Sequence, residues 1–271
     1  MGRISPERVL ARNNVSVLGA ADAPAMVFAH GFGCDQSMWR FVWPAFADRY
    51  RIVLFDHVGM GGSDAGAFDD RRYATLDGYA ADVLEILEAL DLRDVVFVGH
   101  SVSAMIGVLA AGEEPERFAR LVLVGPSARY IDDEGYVGGF GREDVEELLA
   151  SLESNYLGWS SAMAPAIMGN ADRPELGEEL TNSFCRADPR IAAHFARATF
   201  LGDNRADLRR VRTPVLVLQC SEDVIAPREA GEYVHEHLAD SRFVLMAATG
   251  HCPNLSAPEE TVAAIEDFLA G

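Results

Sequence analysis

Residues 95–107 constrain the fold more than any other part of this sequence. The apolar run Val-Val-Phe-Val leads into a turn of small residues, Gly-His-Ser-Val-Ser, and helix-forming residues follow at once. A buried strand that turns sharply into a helix is the context of the G-x-S-x-G nucleophile elbow. Ser103 stands where that motif has its last glycine, and we expect this small residue to fit. The pattern predicts that Ser101 is a nucleophile above the edge of a sheet.

Short apolar runs alternate with helical segments over much of the chain. Runs bounded by Gly, Pro or charged residues are typical of buried strands in a mostly parallel sheet, with helices crossing between them. The predicted strands are 25–29, 51–55, 95–98, 121–124, 214–218 and 243–246. The predicted crossing helices are 73–92, 102–111, 228–237 and 258–269. This alternation predicts an α/β fold.

Residues 129–210 interrupt the alternation, since they contain helix-like stretches and no strand candidate. The stretches are 142–154, 159–168, 174–185 and 189–200. An insertion between sheet strands lies near the carboxyl edge of the sheet, where ligands of open α/β sheets bind. We therefore predict a core domain of residues 1–128 and 211–271, with residues 129–210 as a helical lid. A second G-x-S, at Ser160, follows no predicted strand and is not expected to be a nucleophile.

A serine hydroxyl needs a base to take its proton, and the chain offers seven histidines. His251 is the preferred base, because it follows the predicted strand 243–246 at the active edge of the sheet. His30, His57 and His100 also follow strands there, and we expect His30 and His100 to line the substrate pocket. Solvent-facing positions on helices are expected for the others: His194, His235 and His237.

A carboxylate must hold the imidazole in one tautomer. Two acids, Glu222 and Asp223, follow the predicted strand 214–218. We prefer Asp223, because Pro227 then follows at the usual distance before the next helix, and Glu222 stays as the alternative. The chain order of Ser101, Asp223 and His251 is the order of the α/β-hydrolase triad.

The oxyanion formed during acyl transfer needs two backbone amides directed at it. The residue after the nucleophile, Val102, is expected to supply one. The second is expected from Phe32, since Gly31 and Gly33 let the loop after the strand 25–29 turn its amides inward. The ring of Phe32 would also form a wall of the pocket.

Charge and composition exclude several classes of protein. The net charge is −19 without a run of Lys or Arg, which argues against binding of nucleic acid or anionic membranes. The four cysteines are widely spaced, so neither a zinc site nor a disulfide framework is indicated. The N-terminal segment is charged and no stretch is long enough to span a bilayer, so we expect a cytoplasmic protein. Nothing in the sequence demands more than a monomer or weak dimer.

These motifs resemble those of the α/β-hydrolase superfamily, and of its RsbQ-like subgroup in particular. The resemblance rests on GFGCDQSMW at 31–39, GHSVSAMIG at 99–107, QCSEDVIAP at 219–227 and GHCP at 250–253. It covers essentially the whole chain. The subgroup includes a hydrolase of a bacterial stress-response pathway and the plant receptors for strigolactones and karrikins, in which serine also occurs at the position of Ser103.

The resemblance implies an α/β-hydrolase fold with a lid of four helices, no metal and no organic cofactor. It also implies a deep apolar pocket lined by aromatic residues. An aromatic residue of the lid could line this pocket, or it could instead pack one lid helix against another. The candidates are Phe32, Phe140, Trp159, Phe195 and Phe200, with Met163 and Ile167 as further possibilities.

The predicted function is hydrolysis of a small apolar ester or lactone through Ser101, His251 and Asp223. The resemblance adds a possible signalling partner protein and a role in stress signalling. Two alternatives stay open. One is a ligand-sensing protein that acts mainly through a phosphatase-type partner, and the other is a C–C bond hydrolase that uses the same triad.

Overall fold

The computed structural model describes residues 5–271. Residues 1–4, the start of the N-terminal segment used above to predict location, lie outside the described residues. The predicted α/β architecture is confirmed, with a mostly parallel sheet flanked by helices. The strands are β1 (Ser16–Gly19), β2 (Ala25–Ala29), β3 (Arg51–Phe55), β4 (Val95–His100), β5 (Phe118–Val124), β6 (Val215–Glu222) and β7 (Ser241–Thr249). The helices are α1 (Pro6–Arg12), α2 (Leu76–Ala89), α3 (Val102–Glu113), α4 (Arg142–Ser154), α5 (Tyr156–Met168), α6 (Pro174–Phe184), α7 (Pro189–Phe200), α8 (Arg228–His237), α9 (Pro253–Ser256) and α10 (Pro258–Ala270).

The strand order of the sheet is β1-β3-β2-β4-β5-β6-β7. Every pairing is parallel except that of β1 with β3. Strands β2 and β4 are buried along their whole length, as expected for central strands covered on both faces. The order in the sheet reverses around β2 and β4, and ligands of open α/β sheets bind at such a switch point. The loops after β2 and β4 therefore meet where a site is expected.

Two edge features were not predicted. Strand β1 is only four residues long, and its Val17 and Leu18 are exposed at the antiparallel edge of the sheet. Strand β7 forms the other edge and extends beyond the predicted 243–246. Its amides at Ala247 and Ala248 donate to the carboxylate of Glu260, at 2.6 and 3.0 Å. This carboxylate occupies donors that a further strand would otherwise use, which disfavours pairing at this edge.

Four helices, α4 to α7, lie in the inserted segment, as we call residues 129–210, between β5 and β6. Helix α5 begins at Tyr156, earlier than predicted, because the side chain of Asn155 accepts from the amide of Gly158 and caps the helix. Helix α7 begins at Pro189, where the carboxylate of Asp188 caps two amides. Across residues 5–271, each helix is too short or too polar to cross a membrane.

Candidate active site

Ser101 lies in the sharp turn between β4 and α3. Its backbone adopts φ 55° and ψ −120°, a conformation that costs about 1–3 kcal/mol outside glycine. The amide of Ser101 donates to the carbonyl of Val124 at 2.8 Å, which fixes the turn against β5. A Cβ at Gly99 would lie 2.4 Å from the carbonyl oxygen of Ser103, so only glycine fits there. The local sequence thus forces the Ser101 side chain into the position of a nucleophile elbow.

The side chains of Ser101, His251 and Asp223 form one hydrogen-bonded chain. The Oγ of Ser101 lies 2.7 Å from Nε2 of His251, and Nδ1 of His251 lies 2.7 Å from Oδ2 of Asp223. All three side chains are buried. The exposed Glu222, the alternative acid, does not take part. Proton transfer from Ser101 to His251 is therefore geometrically prepared.

The loop after β6 keeps Asp223 ionised. Burial raises the pKa of this carboxyl, but the attraction of His251 and hydrogen bonds outweigh burial, and the pKa ends below its usual range. The amides of Ile225 and Ala226 donate to Oδ1 at 2.8 and 3.1 Å. Asp223 consequently holds Nδ1–H of His251 and leaves Nε2 free to accept the serine proton.

His100 holds the main chain of His251. Its Nε2–H donates to the carbonyl oxygen of His251 at 2.7 Å. Burial, with a further contribution from the neighbouring His251, lowers the pKa of His100 to about 3. The ring is therefore neutral at ordinary pH, which suits a single donated hydrogen bond.

Ser103 does more than fit the turn. It is fully buried, and its Oγ donates to the carbonyl of His30 at 2.5 Å and accepts from Nε2 of His57 at 2.7 Å. Nδ1 of His30 in turn donates to the carbonyl of Gly31 at 2.8 Å, and its Nε2 accepts from the amide of His57 at 3.1 Å. The network joins the loops after β2 and β3 to the start of α3. Sequence reasoning missed this role, because the motif marks only residue size at the position of Ser103.

A narrow apolar cavity opens above Ser101, with about 430 Å³ of space including its mouth. The inserted segment supplies half of its lining. The lining residues are Phe32, Cys34, His100, Ser101, Tyr130, Trp159, Ile167, Leu180, Phe184, Thr199, Phe200, Ile225, His251 and Cys252. Of the predicted pocket residues, Phe32, His100, Trp159, Phe200 and the further possibility Ile167 line this space.

The structure does not bring four predicted pocket residues to the cavity. His30 lies behind the loop after β2, inside the network with His57 described above. Phe195 points toward the core, where its ring stacks on Tyr79 with centroids 4.3 Å apart. Phe140 packs against Phe200 from outside the lining.

Met163 is the fourth of these residues. It is half-buried and packs against the hydrophobic core without reaching the cavity. Ser160, rejected as a nucleophile from sequence, donates to the carbonyl of Tyr156 within α5. Neither residue lines the cavity above Ser101.

Several lining residues were missed by sequence reasoning. Ile225 lies two residues after Asp223, and Cys252 directly follows His251. Their closeness in sequence to these two residues could have predicted that they line the cavity. Tyr130, Leu180 and Phe184 come from the inserted segment, and only the packing of that segment places them here. Among residues 5–271, no cluster of three His, Cys, Asp or Glu side chains is arranged to hold a metal ion.

Comparison with known proteins bears on the family to which the chain belongs. The model of the alpha/beta hydrolase family matches residues 26–265. Strigolactone esterase D14 of Arabidopsis thaliana is 39% identical over 258 residues, which cover 95% of this chain and 96% of the relative. Karrikin insensitive 2 receptor CA of Petunia hybrida is 39% identical over 251 residues, 92% of this chain and 93% of the relative.

A solved hydrolase structure from Oleispira antarctica has 39% sequence identity and a TM-score of 0.96, and covers 100% of this chain and 99% of its own. The relatives include those predicted from the motifs, namely plant strigolactone and karrikin proteins. The family match spans most of the chain, and the solved structure with the TM-score of 0.96 is described as a hydrolase. The chain therefore belongs to the alpha/beta hydrolase family.

Proposed function

We propose that this protein hydrolyses a small apolar carboxylic ester or lactone through an acyl-enzyme on Ser101. The single observation that carries the proposal is the hydrogen-bonded chain from Ser101 Oγ through His251 to Asp223, with both distances at 2.7 Å. An ionised carboxylate, an oriented imidazole and a serine in a strained elbow are the parts that acyl transfer needs.

The chemistry follows from the positions of these groups. His251 takes the proton of Ser101 as its Oγ attacks the carbonyl carbon, and then gives that proton to the leaving alkoxide. His251 next activates water, which releases the acid and restores Ser101. Asp223 stabilises the imidazolium in both steps.

We assign the oxyanion hole to the amides of Phe32 and Val102. The amide of Phe32 has no hydrogen-bond partner within the part of the chain that the structure describes. Val102 is the first residue of α3, and the amides of a first helical turn lack partners inside the helix. Both follow strands that end at the switch point, which supports their use as a pair.

The shape of the cavity supports the substrate class and a lid. Its walls are mainly apolar and aromatic, with the triad as the polar end. Tyr130, Trp159 and Phe184 of the inserted segment line the cavity together with residues of the core, which is why we propose residues 129–210 as a lid. Burial raises the pKa of the Tyr130 phenol, so it stays protonated and can donate to a substrate oxygen.

A second candidate function is ligand sensing through a partner protein. The observation that favours it is the 39% identity to a relative named as a receptor. We infer that a cytoplasmic stress-signalling role would use the same pocket. To test this role, the immobilised protein would be incubated with extract of its source cells in two states. In one state Ser101 is free, and in the other it carries a covalent phosphonate. A partner retained in one state alone would support the role, and identical captures would refute it.

Substitution of the triad tests the proposed hydrolysis. With p-nitrophenyl acetate, we expect Ser101→Ala to lower kcat at least about 10³-fold and Asp223→Asn to lower it about 10³–10⁴-fold. Glu222→Gln is the matched control and should keep kcat within about twofold, because Glu222 is exposed and it is Asp223 that holds His251. Retention of full activity by Ser101→Ala, with folding verified by circular dichroism, would overturn the assignment.

A further inference from the structure

The turn between α5 and α6 is in direct contact with the loop that carries His251. The amide of His251 donates to the carbonyl of Ile167, near the end of α5, at 2.9 Å. Gly250 has φ 79°, and a Cβ there would lie 1.9 Å from the carbonyl oxygen of Met168. The two backbones are packed so closely that no side chain fits between them. The inserted segment thus reaches the catalytic base and not only the cavity.

Two polar side chains of this turn tie the contact together. Asn170 has φ 55°, and its Nδ2 donates to the carbonyls of Met168 and Thr249 at 2.9 and 3.0 Å. Its Oδ1 accepts from Arg173 at 2.6 Å, and the same guanidinium donates to the carbonyl of Ser256 at 2.7 Å. The hydrogen bonds therefore reach the chain on both sides of His251.

We propose that Asn170 and Arg173 are positioning residues for proton transfer between Ser101 and His251. They hold residues 249–256 against the end of α5, and so fix the amide of His251 on Ile167. This inference rests on the proposed function, because it concerns the same proton transfer.

The main chain of His251 is held at both its carbonyl and its amide. His100 of the nucleophile elbow holds its carbonyl, and Ile167 of the inserted segment holds its amide. Loss of one anchor lets the residue shift relative to Ser101, and a misplacement of about 1 Å can cost about 10²-fold in rate. Asn170 is only half-buried, and neither Asn170 nor Arg173 lines the cavity, so their loss should not change how substrate is bound.

Asn170→Gly is the sharpest test, since glycine accepts the positive φ and lacks the side chain that makes these hydrogen bonds. With p-nitrophenyl acetate we expect kcat to fall at least about 10-fold while KM stays within about twofold. Arg173→Lys keeps one donor near Ser256 and should show a smaller loss. Asn155→Ala is the matched control, because it removes an asparagine that caps the opposite end of the same helix.

Proton NMR supplies a second readout that does not depend on turnover. Nδ1–H of His251, 2.7 Å from Asp223, should give a downfield resonance that shifts or broadens in Asn170→Gly and stays unchanged in Asn155→Ala. Equal losses of kcat in these two variants at equal loss of Tm would overturn the proposal, as would an unchanged kcat and resonance in Asn170→Gly. If Ser101→Ala instead refuted the proposed hydrolysis, the resonance would still decide whether the turn positions His251.

Discussion

Replacing Ser103 by glycine would restore the G-x-S-x-G pattern, yet we expect it to destabilise the protein. The hydroxyl donates to the carbonyl of His30 and accepts from Nε2–H of His57, and all three residues are fully buried. Without the hydroxyl, both partners lose their hydrogen bond. A buried polar group left unsatisfied costs about 1–3 kcal/mol, so the free energy of unfolding should fall by about 2–6 kcal/mol. Nδ1 of His57 has no hydrogen-bond partner within residues 5–271, so no second hydrogen bond holds the ring once the bond to Ser103 is lost.

Urea unfolding followed by circular dichroism at pH 7 measures this loss, provided that the m-value does not change. Ser103→Ala separates the hydroxyl from helix propensity, because alanine favours the helix more than glycine does. Ser160→Ala is the matched control, since Ser160 is equally buried but only donates to a carbonyl within its own helix. Losses in Ser103→Ala and Ser160→Ala that agree within about 0.5 kcal/mol would refute the reasoning.

Two further predictions concern pH and backbone contact. Burial lowers the pKa of His30, His57 and His100 below the ordinary value of 6.5, to about 3 for His100. The unfolded chain then binds more protons, so the free energy of unfolding should decrease as the pH falls from 6.5 toward 3, and His100→Gln should make this slope shallower in urea titrations. An equal slope in the variant would contradict the burial argument. Gly250→Ala should cost far more stability than Gly135→Ala, because both have positive φ but only the first would place a Cβ against another backbone. Similar Tm values for these two variants would show that the contact relaxes.

The central strands could be predicted because they are buried on both faces. Strands β2 and β3 have the predicted bounds, since nearly every residue in each run is apolar and turn residues flank it. Strand β1 could not be found in this way, because three of its four residues are exposed and only its pairing with β3 defines it. The same holds for the ends of β7, which alternate between exposed and half-buried positions.

The hydrogen-bonded arrangement of Ser101, His251 and Asp223 could be anticipated because each residue sits just after a strand, so local sequence places it at one edge of the sheet. The pocket lining could not, because it depends on how each helix is rotated. Phe195 and Phe200 are five residues apart in α7, and at 100° per residue they point about 140° apart. Phe200 therefore lines the cavity while Phe195 faces Tyr79 in the core. Only long-range packing decides which of the two faces is turned to the triad.

The same packing brings the core and the inserted segment together at His251, although the two are separate in sequence. The core supplies Ser101, Asp223 and the His100 anchor, whereas the acceptor for the amide of His251 is Ile167, within the inserted segment. Ile167 also lines the cavity, so one residue contacts both the cavity and His251. A change in the inserted segment that reshapes the pocket will therefore tend to alter the rate of proton transfer as well.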